Sequence, residues 1–208
     1  MKLYRTVFKE AEAEQIIERS RFIAHVKPVS SREEAEAFIN DVRKKHKDAT
    51  HNVPAMVIGD KAQIQWASDD GEPQGTSGAP IVRLLVSSEI TGAAVVVTRY
   101  FGGVKLGTGG LVRAYTSSAK MALDAAGICD VYESMLLTFE FEYSFLARIT
   151  AMEGDVFSIE DVRYTDVVEA DLSCAPEEKG RLTEMIANIT GGRGKLKEEK
   201  ITTVKKRI

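Results

Sequence analysis

The chain has 208 residues, a length that accommodates two small domains of roughly 100 residues each. It carries 28 Lys and Arg against 31 Asp and Glu, for a net charge of -3, which excludes a strongly basic nucleic-acid-wrapping protein and an acidic disordered tail. No apolar run approaches the ~18 residues that span a membrane, and the opening MKLYRTVFKEAEAEQ has no signal-peptide core.

These features point to a cytoplasmic protein without membrane contact. Two cysteines, Cys129 and Cys174, are too few for a metal cluster or a disulfide framework and read as reduced thiols. Residues 1–135 balance 17 basic against 17 acidic groups, residues 136–184 are net -8, and residues 185–208 are net +5. Asp130–Ser134 is the best domain boundary, which gives domains 1–130 and 131–208.

Ala13–Glu18 and Arg21–Val26 read as strands, the second with apolar residues on alternate positions. Ser31 and Glu34 form a capping box, and Ala35, Phe38, Ile39 and Val42 follow on one helical face. Lys44, Lys45 and Lys47 suit the negative end of that helix. Val53–Ile58 and Gln63–Ala67 are two more strands, and Ser77–Ser88 is a helix entered through Pro80. Ala93–Thr98 is a short buried strand. Leu111–Ala126 is an amphipathic helix with Gly127 as its C-cap.

In the second block, Leu137, Phe139, Phe141 and Tyr143 alternate with polar residues along a half-buried strand. The spacing then predicts a helix over Phe145–Met152, strands over Val156–Val162 and Val167–Leu172, a helix from Pro176 stopped by Gly191-Gly192, and a strand over Leu196–Val204. The order β-α-β-β-α-β is that of a ferredoxin-like domain. The fold class is therefore α+β.

Nine of the 16 glycines fall between Gly71 and Gly110. All but Gly92 belong to two segments. The first, Ser68–Gly78, holds Asp69, Asp70, Glu72, Gln74 and Thr76. Its three carboxylates lie within four residues, so a cation, backbone N–H groups or an arginine must offset their repulsion. A divalent cation is one reading; a turn whose carboxylates cap the next helix is the other, and the absence of an EF-hand pattern favours it.

The second segment, Arg99–Arg113, places Gly107, Thr108, Gly109 and Gly110 before a long helix and flanks them with Arg99, Lys105 and Arg113. Free N–H groups at a helix start beside cations suit an anion. Thr108 stands where a Walker A loop needs Lys, and Val112 where a dinucleotide fingerprint needs Gly, so nucleotide hydrolysis is disfavoured. A turn that lets strand and helix pack closely is the alternative. The Tyr100-Phe101 pair, if exposed, suits a protein partner. Of three histidines, His51 could meet the Asp69–Glu72 loop as an acid–base or metal partner. The basic last 24 residues fit phosphate contact and a solvated edge strand equally.

Asp69–Pro80 (DDGEPQGTSGAP) and Val97–Tyr115 (VTRYFGGVKLGTGGLVRAY), in this order and at this spacing, resemble the signature of the IMPACT (YigZ) family. The resemblance covers the whole chain. It implies a first domain similar to ribosomal protein S5 domain 2 and a second similar to domain V of elongation factor G. It also implies a non-enzymatic association with RNA or the ribosome in the regulation of translation, with no established reaction or cofactor. The kinase-regulating role of eukaryotic relatives is tied to an extra N-terminal domain and is not carried over. The family commonly has a Cys and an aromatic residue soon after the position of His51. Here Val53, Pro54 and Met56 stand in that stretch, which weakens a metal or nucleophilic role for His51. Two alternatives remain: an enzyme acting on a phosphate-bearing substrate through Asp69–Glu72 with a divalent ion, and a protein–protein interaction module.

Overall fold

The structure is a computed structural model that describes all 208 residues. It divides into two compact units, Leu3–Val131 with Lys205–Ile208, and Met1–Lys2 with Tyr132–Val204. In the middle of the chain the division falls between Val131 and Tyr132, and no loop marks it. A single strand, β7 (Ile128–Phe141), runs through Asp130–Ser134. The chain ends are also exchanged relative to the expected contiguous domains: the first two residues group with the later unit and the last four with the earlier one.

The first unit is built on an antiparallel sheet of β2 (Ala11–Ile17), β3 (Ser20–Pro28), β6 (Ala93–Tyr100), β4 (His51–Ile58) and β5 (Ile64–Ala67), in that spatial order. The central strand β6 is buried from Ala93 to Arg99, as its unbroken apolar run requires of a strand covered on both faces. On one face lies α1 (Arg32–Lys45), which buries Ala35, Phe38, Ile39 and Val42 against Met56, Ile58, Ala94 and Val96. On the other lie α2 (Gly78–Ser87) and α3 (Gly107–Ala126), packed on Phe22, Ala24, Val53, Ala55, Val95 and Val97. Helices on both faces of one sheet make a three-layer unit.

The caps refine the sequence reading. Ser31 Oγ accepts from the Glu34 N–H at 3.2 Å, but the Glu34 carboxylate turns to the N–H and hydroxyl of Ser30, at 2.6 and 2.8 Å. The reciprocal arm of the box therefore lands one residue earlier than its spacing implies. Helix α3 begins at Gly107, four residues before the first apolar position, so Gly107–Gly110 form its first turn and not a preceding loop. Strand β1 (Lys2–Val7) has no counterpart among the elements expected from sequence.

In the second unit β7, α4 (Tyr143–Thr150), β8 (Phe157–Tyr164), β9 (Val168–Cys174), α5 (Lys179–Thr190) and β10 (Lys195–Arg207) follow in chain order. Strands β10, β7, β9 and β8 lie side by side in that order, with β1 also paired to β7. This is the ferredoxin-like arrangement expected from the order of elements. Phe139, Phe141, Phe157 and Leu172 meet Leu182, Ile186 and Ile149 in its core. Gly191, in the left-handed region at φ 61°, ends α5. The chain is thus α+β with two units.

Candidate functional site

The register of the first sheet sets Phe22, Arg99 and His51 side by side, because Arg99 of β6 is the partner of both Phe22 on β3 and His51 on β4. Helix α3 adds Tyr115 from above, and the loop after β5 adds Glu72. Glu72 is nearly buried, with its Oε1 accepting from Arg99 Nη1 at 2.7 Å and from the Tyr115 hydroxyl at 2.7 Å. Arg99 Nη2 donates to Ser20 Oγ at 3.2 Å. The guanidinium packs against the Phe22 and Phe101 rings, 5.4 and 5.3 Å from their centres, and its Nε has no partner. Burial, followed by the adjacent Glu72, pushes the Tyr115 phenol well above its ordinary range.

His51 does meet the Asp69–Glu72 loop. Its Nδ1 lies 2.7 Å from the Asp70 carbonyl oxygen. A carbonyl only accepts, so Nδ1 carries the proton and Nε2 is the basic nitrogen, 3.8 Å from Glu72 Oε1.

The three carboxylates of the loop are offset one by one. Asp69 accepts from the N–H groups of Gly75, Ser77 and Gly78 and from the Ser77 hydroxyl. Partial burial works against its charge, but those donors outweigh burial and hold it below the usual carboxylate range. It caps α2, which Ser77 itself does not. Asp70 accepts from the Asn52 N–H at 2.6 Å and lies 3.4 Å from Arg43. Glu72 has Arg99 and Tyr115. Gln74 is exposed and Thr76 donates to the Pro73 carbonyl. No group of three or more His, Cys, Asp and Glu side chains converges in a way that could hold a metal ion.

Arg99 is therefore not part of the basic flank expected around Gly107–Gly110. It is buried and its charge is answered by Glu72, 27 residues away in the chain. The physical reason is the alternation of β6: Arg99 points, like Val95 and Val97, to the face covered by α2 and α3, where an unpaired cation is not tolerated. Lys105 and Arg113 behave differently. Both are exposed and neither is held in an ion pair. With Val104, Leu106, Gly110, Ile17 and Glu18 they line a groove of about 530 Å³. Leu106 supplies no side-chain cap, so the first N–H groups of α3, at the exposed Gly107, Thr108 and Gly109, have no side-chain partner from the cap position. Earlier in the connection that leads to the groove, the Gly102 N–H donates to Ser20 Oγ at 3.2 Å. A Cβ there would collide with the backbone of Arg19 and Ser20.

The basic last strand offers less to an anion. Lys197 and Lys195 lie 2.8 and 4.0 Å from Glu140, and Lys179 lies 2.6 Å from Glu199. Arg163 on β8 is ringed by Asp161, Glu169 and Asp171.

The Impact N-terminal domain matches residues 18–123, and a domain of unknown function (DUF1949) matches residues 140–193. The chain is 37% identical over 206 residues to IMPACT family member YvyE of Bacillus subtilis, covering 99% of this chain and 95% of that one. It is 40% identical over 140 residues to IMPACT family member YigZ of Escherichia coli, covering 66% and 69% respectively. A solved structure described as a hypothetical protein superposes with a TM-score of 0.62 at 32% identity, over 94% of this chain and 97% of the other.

Proposed function

Because the chain belongs to the IMPACT family, whose resemblance carries an association with RNA and translation, we propose that it is a non-enzymatic RNA- or ribosome-binding protein of the cytoplasm. The groove at the start of α3 is its contact surface. One observation carries this reading: Lys105 and Arg113, both without ion-pair partners, stand beside a helix start that no side chain caps. Cations and free N–H groups in an open groove fit a phosphate backbone. The modest charge of the whole chain restricts the contact to this patch and keeps binding moderate. Chemistry at the Asp69–Glu72 loop with a divalent ion has weaker support, since each of those carboxylates already accepts from protein donors.

The test is fluorescence anisotropy with labelled ribosomal RNA fragments between about 50 and 200 mM salt. Log affinity falls linearly with log salt, and Lys105→Ala with Arg113→Ala lowers the slope by about 2. Absence of salt-dependent binding, or an unchanged slope in the double variant, refutes the reading.

A further inference from the structure

Phe101 has no part in the groove's chemistry, yet its placement is unusual. It follows directly on the buried strand β6 but is 47% exposed. The ring centre lies 5.3 Å from the Arg99 guanidinium, which also packs 5.4 Å from the buried Phe22 ring. Its backbone is pinned as well: the Phe101 N–H donates to Thr50 Oγ1 at 3.0 Å, and the next N–H, of Gly102, donates to Ser20 Oγ. The platform beneath it is rigid, since Arg99 is fixed by Glu72 and Ser20. Gly102 and Gly103, next in the chain, carry no side chains that could cover it. Lys105 lies four residues on in the same connection.

Resting on the RNA reading above, we propose that the ligand is unpaired RNA, with one base stacked on Phe101 and neighbouring phosphates taken by Lys105 and Arg113. A base inside a duplex has both faces covered by its neighbours and cannot meet the ring; an unpaired base can. Phenyl offers no hydrogen bonds, so it accepts any base by its π-face, and recognition is tolerant of sequence. The cation behind the ring strengthens the platform by fixing its orientation.

The experiment uses the full-length protein, fluorescein-labelled oligo(U) and oligo(A), and a duplex RNA of equal length, at fixed low salt. Single strands bind more tightly than the duplex. Phe101→Ala weakens single-strand binding by about tenfold or more, the scale of one lost stacking contact, and leaves duplex binding unchanged. Phe101→Trp keeps or tightens it. A 2-aminopurine oligonucleotide is quenched on binding to the native chain and not to Phe101→Ala; circular dichroism verifies that the variants are folded. Equal affinity for single strands and duplex, or an unaffected Phe101→Ala alongside a weakened Lys105→Ala/Arg113→Ala variant, overturns the stacking proposal and leaves the RNA reading standing. No binding to either RNA form overturns both. Binding of a protein partner lost in Phe101→Ala, with RNA binding intact, assigns the ring to a protein anchor and also overturns the proposal.

Discussion

Arg99 and Glu72 show how one residue pair organises the end of a sheet. A buried cation is costly alone, and here the carboxylate that answers it also receives the Tyr115 phenol. Arg99→Met strands the Glu72 charge and should cost about 3–5 kcal/mol in urea unfolding. Removing both charges, with Glu72→Met as well, should recover much of that loss. Tyr115→Phe removes one charge-assisted hydrogen bond and should cost roughly 1.5–3 kcal/mol. An Arg99→Met chain as stable as the native one would contradict the pairing.

A second chain of polar groups lies on the opposite face. Glu12 Oε2 is 3.2 Å from His25 Nδ1, His25 Nε2 is 3.1 Å from His46 Nε2, and His46 Nδ1 is 3.0 Å from the Tyr100 hydroxyl. One of the two facing Nε2 atoms donates to the other, so the tautomers of the two rings are tied together. Burial pushes His25 down to about 4, with Glu12 opposing and Lys45 and His46 reinforcing. In the unfolded chain the same imidazole titrates near 6.5. Its contribution to stability is therefore complete above about pH 6.5 and is lost as pH falls toward 4, at up to ~1.4 kcal/mol per pH unit. His25→Phe should flatten the pH dependence of unfolding in that window.

Among the elements, the connection between β6 and α3 depends on close approach. Gly102 touches the Arg19–Ser20 backbone, and a methyl group there forces the whole connection outward. Gly103 is different: it sits at φ +83° with open space around it, so a side chain costs only the left-handed backbone, about 1–2 kcal/mol. Gly102→Ala should therefore weaken RNA binding and increase proteolysis at residues 101–106, while Gly103→Ala loses stability with the groove intact. Equal effects on binding would contradict this distinction. Helix and strand identities here were legible in the sequence, since periods of 3.6 and 2 are local properties of α1, α3, β3 and β7. The first turn of α3 was not, because Gly107–Gly110 have no side chains to show a period. Strand β1 escaped because LYRTV mixes polar and apolar residues on both faces.

At the scale of the molecule, the last four residues belong with the first unit. Lys205 Nζ reaches the Phe8 carbonyl at 3.5 Å, the Arg207 guanidinium lies 4.2 Å from the Phe8 ring centre, and the Ile208 N–H donates to the Ile128 carbonyl at 3.2 Å. Deleting residues 205–208 should cost about 1–2 kcal/mol, from one cation–π contact and one or two hydrogen bonds. That is a fall of several degrees in the thermal midpoint of a chain this size. An unchanged midpoint would show that these contacts carry no stability.

The sequence by itself determined the α+β class, the ferredoxin-like order of the second unit, the family signature and the two glycine-bearing segments. It also determined that the Asp69–Glu72 carboxylates needed partners, because three like charges within four residues repel in any fold. Which partners they found was decided only in three dimensions. Asp69 is answered by a helix start, Asp70 by a strand N–H, and Glu72 by an arginine 27 residues away. The same packing took Arg99 out of the basic flank and left Lys105 and Arg113 to the groove. Spacing along the chain reports periodicity, whereas pairing between distant charges depends on strand register and on which helices cover each face of β6.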